Sequence, residues 1–263
     1  MNKDLSKPQY IIVLGTTYSG SGAVFDYLNG RGDLYDPLFG EEYLLPILPN
    51  GLMSLEAMSE RAFDPALTEN ALIEFKDISY KLIHYWSTKS KNELSKKIPF
   101  FKDTIHKFID EISSVDFPMK LLWREMNKPK SEIFFDKIKR FFGIKNFSQT
   151  RLLVSKNELV LAAQKMHDTM FQSHSKGRQV LLDQGGSGWN PIESTKYYTN
   201  NKIVIVTRDP RDQFAEIKTY KEGSSVGGFV DWYLEMQRHH KKINNSNILF
   251  MNFEDFVKNN EKF

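Results

Sequence analysis

The sequence predicts an α/β fold: an open, mostly parallel sheet flanked by helices, with a helical insertion in its middle. Three observations carry this expectation. Short β-branched apolar runs, IIVL at 11–14 and KIVIV at 202–206, are uninterrupted, as strands covered on both faces are. Each gives way at once to a polar loop and then to a helical pattern, the alternation expected of parallel strands joined by crossover helices. Between residues 50 and 175 the strand pattern disappears and helical periodicity takes over.

In chain order, the first run is followed by GTTYSGSGA at 15–23 and by a helix beginning near Ala23. Within TENALIEFKDISYKLIHYW (68–86), Leu72, Phe75, Ile78, Leu82 and Tyr85 recur at helical spacing, with Thr68 at a position suited to an N-cap. FFKDTIHKFIDEI (100–112), SEIFFDKIKRFF (131–142) and a pattern across 155–172 continue the insertion, and residues 89–97 read as a lysine-rich hinge. RQVLLD (178–183) and NILFMNF (247–253) supply two more strands; 190–198, 211–221 and 229–244 supply helices. There is no internal repeat. The reading is one α/β domain over 1–263, with residues 50–175 inserted into it.

Composition narrows the function. Hydrophobic residues make up 40% and aromatic residues 13% of the 263 positions, enough for a sizeable core. A net charge of +3 from near-equal acids and bases suits an anionic ligand and argues against general nucleic-acid binding. The absence of cysteine excludes disulfides, thiolate catalysis and cysteine-ligated zinc. MNKDLSKPQY lacks the apolar core of a signal peptide, and no apolar run approaches the roughly 18 residues that span a bilayer. A soluble, cytoplasmic chain is expected. His84, His106, His167 and His174 fall at surface-like helical positions and His239–His240 at a basic helix end; no HExxH-like spacing exists, so no metal is expected.

Ligands of parallel α/β sheets collect outside the carboxyl ends of the strands. Three polar loops stand there: GTTYSGSGA, QGGSGWNP (184–191) and TRDPRDQ (207–213). In the first, glycines let backbone amides curl around an anion, and the following helix adds its unpaired amides and dipole. Thr17, Tyr18, Ser19, Gly20, Ser21, Gly22 and Ala23 are the candidate anion-binding residues. Laid on the GxxxxGK[ST] pattern, Gly15 and Gly20 are its glycines, but Ser21 replaces the lysine and Gly22 the magnesium-binding hydroxyl. That argues against an ATPase, GTPase or ordinary kinase.

YSGSGAVFDYL is similar to the 5′-phosphosulfate loop of P-loop-type sulfotransferases, commonly a basic residue followed by SGT[TS] and a helix. KIVIVTRDPRDQFAEI resembles that family's second signature, a buried strand and then R-[DN]-P-[RK]-D opening a helix. GEEYLLPIL (40–48) is similar to the GEE-x-x-x-P segment of the protein-tyrosine branch, and NILFMNFEDFVKNNEKF to the strand plus [YF]-E-D-[LF]-V of many family domains. The matches keep the family's order and cover about 9–48 and 178–263. The resemblance implies 3′-phosphoadenosine-5′-phosphosulfate (PAPS) as sulfuryl donor, no metal, Arg208 on the 3′-phosphate with Arg211 beside it, and Glu42 as catalytic base. It implies a hydroxyl-bearing acceptor, and a cysteine-free chain expected in the cytoplasm suits a glycan or small molecule. Asp183, ending its strand at the same edge, is the competing base, or else orients the DQGGSG loop. Arg208 could instead pair with Asp212, Arg211 could face solvent, and Glu41–Glu42 could be a solvated charged pair. Tyr80, Trp86 and Trp123 are unassigned aromatic candidates for the acceptor pocket.

Two positions depart from the family pattern. Tyr18 stands where the family has its basic residue, and Glu216 where a serine often follows the arginine by eight positions. A carboxylate there must turn away from a bound phosphate or pair with a cation. The alternatives to a sulfotransferase are another P-loop small-molecule kinase and a non-catalytic nucleotide-binding protein.

Overall fold

The structure, a computed structural model, describes residues 9–61, 64–89, 93–118, 126, 128–143, 149–220 and 225–259. Strand β1 (Tyr10–Gly15) leads into helix α1 (Ser21–Gly30). The insertion follows: α2 (Leu52–Arg61), α3 (Pro65–Lys89), α4 (Glu93–Glu111), β2 (Ser113–Pro118), α5 (Lys130–Phe141), β3 (Gln149–Leu153) and α6 (Lys156–Met170). The frame then resumes with β4 (Val180–Asp183), α7 (Pro191–Thr195), β5 (Asn201–Thr207), α8 (Pro210–Thr219), α9 (Val226–His240), β6 (Ile248–Asn252) and α10 (Phe253–Lys258).

The main sheet has the order β4-β1-β5-β6 and every neighbouring pair is parallel. The expected α/β architecture is therefore the one observed. β1 is central, and its Tyr10, Ile12, Val13 and Leu14 are fully buried. Alternate side chains serve different layers. Tyr10, Ile12 and Leu14 face a large core shared with the insertion, including Trp86, Phe101, Phe108 and Phe171. Val13 faces a smaller one with Val24 and Phe25 of α1, Val206 and Phe256. Each fully buried large apolar side chain contributes about 2–3 kcal/mol, so the insertion is welded to the sheet.

A strap lies along the free edge of β4. The amide of Tyr35 donates to Gln179 O at 2.8 Å, Leu181 N donates to Tyr35 O at 2.9 Å, and Tyr43 N donates to Asp183 O at 2.8 Å. These bonds carry residues 35–43 up to the carboxyl end of β4 and leave Glu42 there.

Several sequence expectations need correction. The insertion is mainly helical but also contains an antiparallel ribbon, β2 with β3, and α2 was not anticipated. Asp64, not Thr68, caps α3: its carboxylate accepts from Ala66 N at 2.8 Å, while Thr68 sits in the first turn. Residues 93–97 of the expected hinge are helical, and 90–92 lie outside the described residues, as does Trp123. His167 and His240 are buried at 0% and 7% exposure, contrary to the surface-like reading, because both turn toward the interior and bond there. Trp86 is a core residue at 1% exposure. No helix among the described residues is long and apolar enough to cross a membrane.

Candidate functional site

Because the sheet is parallel, the ends of β1, β4, β5 and β6 open on one edge, and the candidate residues meet there. The loop between β1 and α1 makes a tight turn, with Ser19 N donating to Thr16 O at 2.9 Å. Gly15 and Gly20 are sterically required. A Cβ on Gly15 would lie 2.3 Å from Ser19 Oγ, and one on Gly20 would lie 2.4 Å from the Phe253 ring, on a backbone at φ +87°. Gly22 has nothing within 4 Å of its would-be Cβ, so open space lies over the first turn of α1. There the amides of Ser21, Gly22 and Ala23 have no acceptor within the helix. Ser19 is 1% exposed and its Oγ has no partner. A buried hydroxyl without a partner beside free helix-terminal amides is a donor set suited to an anion.

Neighbouring loops brace this turn. Gln184, at φ 50°, offers Oε1 to Gly15 N at 3.3 Å and donates Nε2 to Ser21 Oγ at 2.9 Å. Gly188 packs on the Gly15 carbonyl, where a Cβ would come within 2.5 Å. Gln213 of α8 donates to Thr17 O, fixing the loop from the β5 side. Thr17 itself is exposed.

Arg208 follows β5 and reaches the same loop. Its Nη1 donates to Tyr18 O at 3.1 Å and also to the Glu216 carboxylate, and the guanidinium lies 5.3 Å from the Phe253 ring centre. Its ion-pair partner is therefore Glu216, two turns along α8, not Asp212. Tyr18 adopts φ 57°, and its ring stacks on Tyr220 at 5.2 Å. Arg211 points outward at 88% side-chain exposure and holds Asp209, with contacts of 3.0 and 2.6 Å. The guanidinium keeps the Asp209 carboxyl down at about 2. Asp209 in turn caps α8 by accepting from Arg211 N at 2.8 Å.

Two acids face this edge from β4 and its strap. Asp183 is 8% exposed and its Oδ1 is buried without a partner. Burial, reinforced by the carboxylates of Glu42, Asp26 and Asp36, pushes its carboxyl up to about 7. Glu42 is exposed, but its backbone is fixed: Trp86 Nε1 donates to Glu42 O at 3.1 Å, and the next residue bonds Asp183 O. The structure thus gathers the glycine loop, Arg208, Glu42 and Asp183 at one edge and leaves Arg211 on its rim. Among the described residues no group of three or more His, Asp or Glu is disposed to hold a metal ion.

Sequence reasoning missed Gln184, Gln213, Phe253 and Tyr220. Phe253 was the findable one: it closes the fourth apolar run, NILFMNF, at the same sheet edge. No family model, curated protein or solved structure matches the chain.

Proposed function

We propose that the protein transfers the sulfuryl group of PAPS to the hydroxyl of an acceptor, a glycan or small molecule, by in-line displacement. The observation that carries this reading is the convergence at one sheet edge of three parts. They are a lysine-free glycine loop with unpartnered donors, an arginine against that loop, and a pair of carboxylates. In the reading, the amides of Ser21, Gly22 and Ala23 and the Ser19 hydroxyl hold the 5′-phosphosulfate, and Arg208 holds the 3′-phosphate. The sulfur–oxygen bond to the phosphate breaks as one to the acceptor oxygen forms, and 3′,5′-adenosine bisphosphate leaves. The acceptor proton passes to the carboxylate pair. Asp183 is the better proton acceptor of the two, since a group ionising near neutrality is matched to such a transfer. Glu42 then keeps that ionisation high through its charge. Such a reaction needs positioning and charge stabilisation and no magnesium ion.

A non-catalytic nucleotide-binding protein is the second reading, favoured by Tyr18, whose ring stacks on Tyr220 where the resembling family has a cation. Calorimetry with 3′,5′-adenosine bisphosphate tests the shared premise. Binding is expected, and Arg208→Ala should weaken it at least about tenfold, the worth of a charge-assisted bidentate contact. No binding by the unmodified protein sinks both readings, and binding untouched by Arg208→Ala refutes the placement of the 3′-phosphate. Release of sulfated product from PAPS separates the enzyme from the non-catalytic protein.

A further inference from the structure

Arg208 is not waiting empty-handed. Its Nη1 is taken by Glu216, and the two side chains are only 19% and 35% exposed, so the pair is partly shielded from solvent. Phe253 lies along the guanidinium and the Tyr18 carbonyl shares the same nitrogen. Glu216 is borne on α8, whose first residue, Pro210, follows Arg208 by two positions. The helix is anchored at its start by the Asp209 cap and through Gln213 to the loop. The carboxylate is therefore held at the cation by a short, stiff tether, which gives it a high effective concentration there.

We propose that Glu216 is a built-in competitor at the 3′-phosphate subsite: it occupies the place on Arg208 that a ligand phosphate must take. This rests on Arg208 being the 3′-phosphate contact. A ligand group that brings one negative charge and two oxygens offers Arg208 no more than Glu216 already supplies, and it must also meet the Glu216 charge. A phosphate monoester brings close to two charges and three acceptor oxygens, and it competes successfully. Displacement still costs the existing ion pair, so the 3′-phosphate adds less affinity here than an unoccupied arginine would give it. The carboxylate is also positioned to reclaim Arg208 as the bisphosphate product departs, which hastens release.

The test compares 3′,5′-adenosine bisphosphate with 5′-adenosine monophosphate by calorimetry at fixed ionic strength, for the unmodified protein, Glu216→Gln and Glu216→Ser. The ratio of the two affinities isolates the 3′-phosphate. Expected is a ratio about tenfold larger in both variants than in the unmodified protein, arising from tighter bisphosphate binding with monophosphate binding unchanged. An unchanged or smaller ratio in both variants overturns the inference while leaving nucleotide binding intact. A ratio near one in all three proteins shows that Arg208 does not meet the 3′-phosphate and removes its premise. Failure of all three to bind either nucleotide removes the sulfotransferase reading itself. Thermal melts of the variants, expected within a few degrees of the unmodified protein, exclude misfolding as the cause.

Discussion

The carboxyl edge of the sheet and the interface between sheet and insertion are both rich in buried polar groups, but they treat them oppositely. At the interface the groups satisfy one another. Tyr43 Oη donates to His167 Nε2 at 2.8 Å, and His167 Nδ1 donates to Tyr197 O at 2.8 Å. A backbone carbonyl only accepts, which fixes the tautomer, and burial holds the imidazole neutral, down at about 4. Glu56, 5% exposed, receives Lys196 at 2.6 Å, Tyr197 Oη at 2.5 Å and Lys156 at 3.2 Å. Burial pushes its carboxyl up, but those three donors outweigh burial and bring it below the ordinary range. Asp168 accepts from Tyr10 at 2.8 Å and Thr199 at 2.9 Å. At the carboxyl edge, by contrast, Ser19 Oγ, Asp183 Oδ1, Gln213 Oε1 and Glu254 Oε2 are buried and unpartnered. Unmade hydrogen bonds cost stability. Four of the six such atoms among the described residues lie at the edge where a ligand is proposed to bind; the other two are Ser175 Oγ and His240 Nδ1.

Substitutions can break this contrast. The largest effect is expected for Glu56→Ala, which leaves Tyr197 without its acceptor and Lys196 with Glu193 alone: a loss of about 3 kcal/mol in urea unfolding. A loss below about 1 kcal/mol would show that the interface network is not what secures the insertion. Asp183→Asn should act in the opposite direction. A carboxyl whose folded value is raised keeps its proton in the native state while the unfolded chain has released it. Its contribution to stability is therefore present at low pH and is lost as pH rises toward about 7. The amide has no such liability, so Asp183→Asn should stabilise the protein by about 2 kcal/mol at pH 8 and by almost nothing at pH 3. It should also cut the proposed sulfuryl transfer by about 100-fold. Destabilisation at pH 8 would mean that Asp183 is a structural group like Glu56. The smallest change is Tyr43→Phe, which leaves His167 Nε2 without its donor and should lower the unfolding free energy by about 1 kcal/mol. The acid limb of the stability curve sharpens the picture. His167 favours folding fully above about 6.5, and this is lost as pH falls toward 4, because the unfolded histidine takes up a proton that the buried one refuses.

How much of this was legible depended on whether a feature is periodic. The four parallel strands were, since runs such as YIIVLG and NKIVIVT buried on both faces carry a signal that survives without context. The ribbon was not: SSVDFP and QTRLL are short and mixed, and they are strands by virtue of pairing with each other across the insertion. His167 was legible in principle. Leu159, Ala163, Met166 and Met170 mark the buried stripe of α6, and His167 lies on it, but a polar residue there is readable as buried only with its partner from the distant strap in view. At the site, the glycine loop and Arg208 were found because both directly follow apolar runs. That Glu216 would occupy Arg208 itself was not, since eight residues of spacing do not specify which way a carboxylate turns.

Phe253 has a consequence for how the protein comes into being. Its ring fills the space under Gly20 and lies along the Arg208 guanidinium, and its neighbour Glu254 accepts from Asp209 N at 3.0 Å. The β1–α1 loop thus takes its shape from a segment synthesised long after it. During translation β1, β4 and β5 can pair once the insertion has emerged, yet the proposed nucleotide pocket stays unformed until β6 and α10 leave the ribosome. A nascent chain arrested before Phe253 should have most of its core and no anion cradle, so the site assembles only after β6 and α10 have joined the sheet.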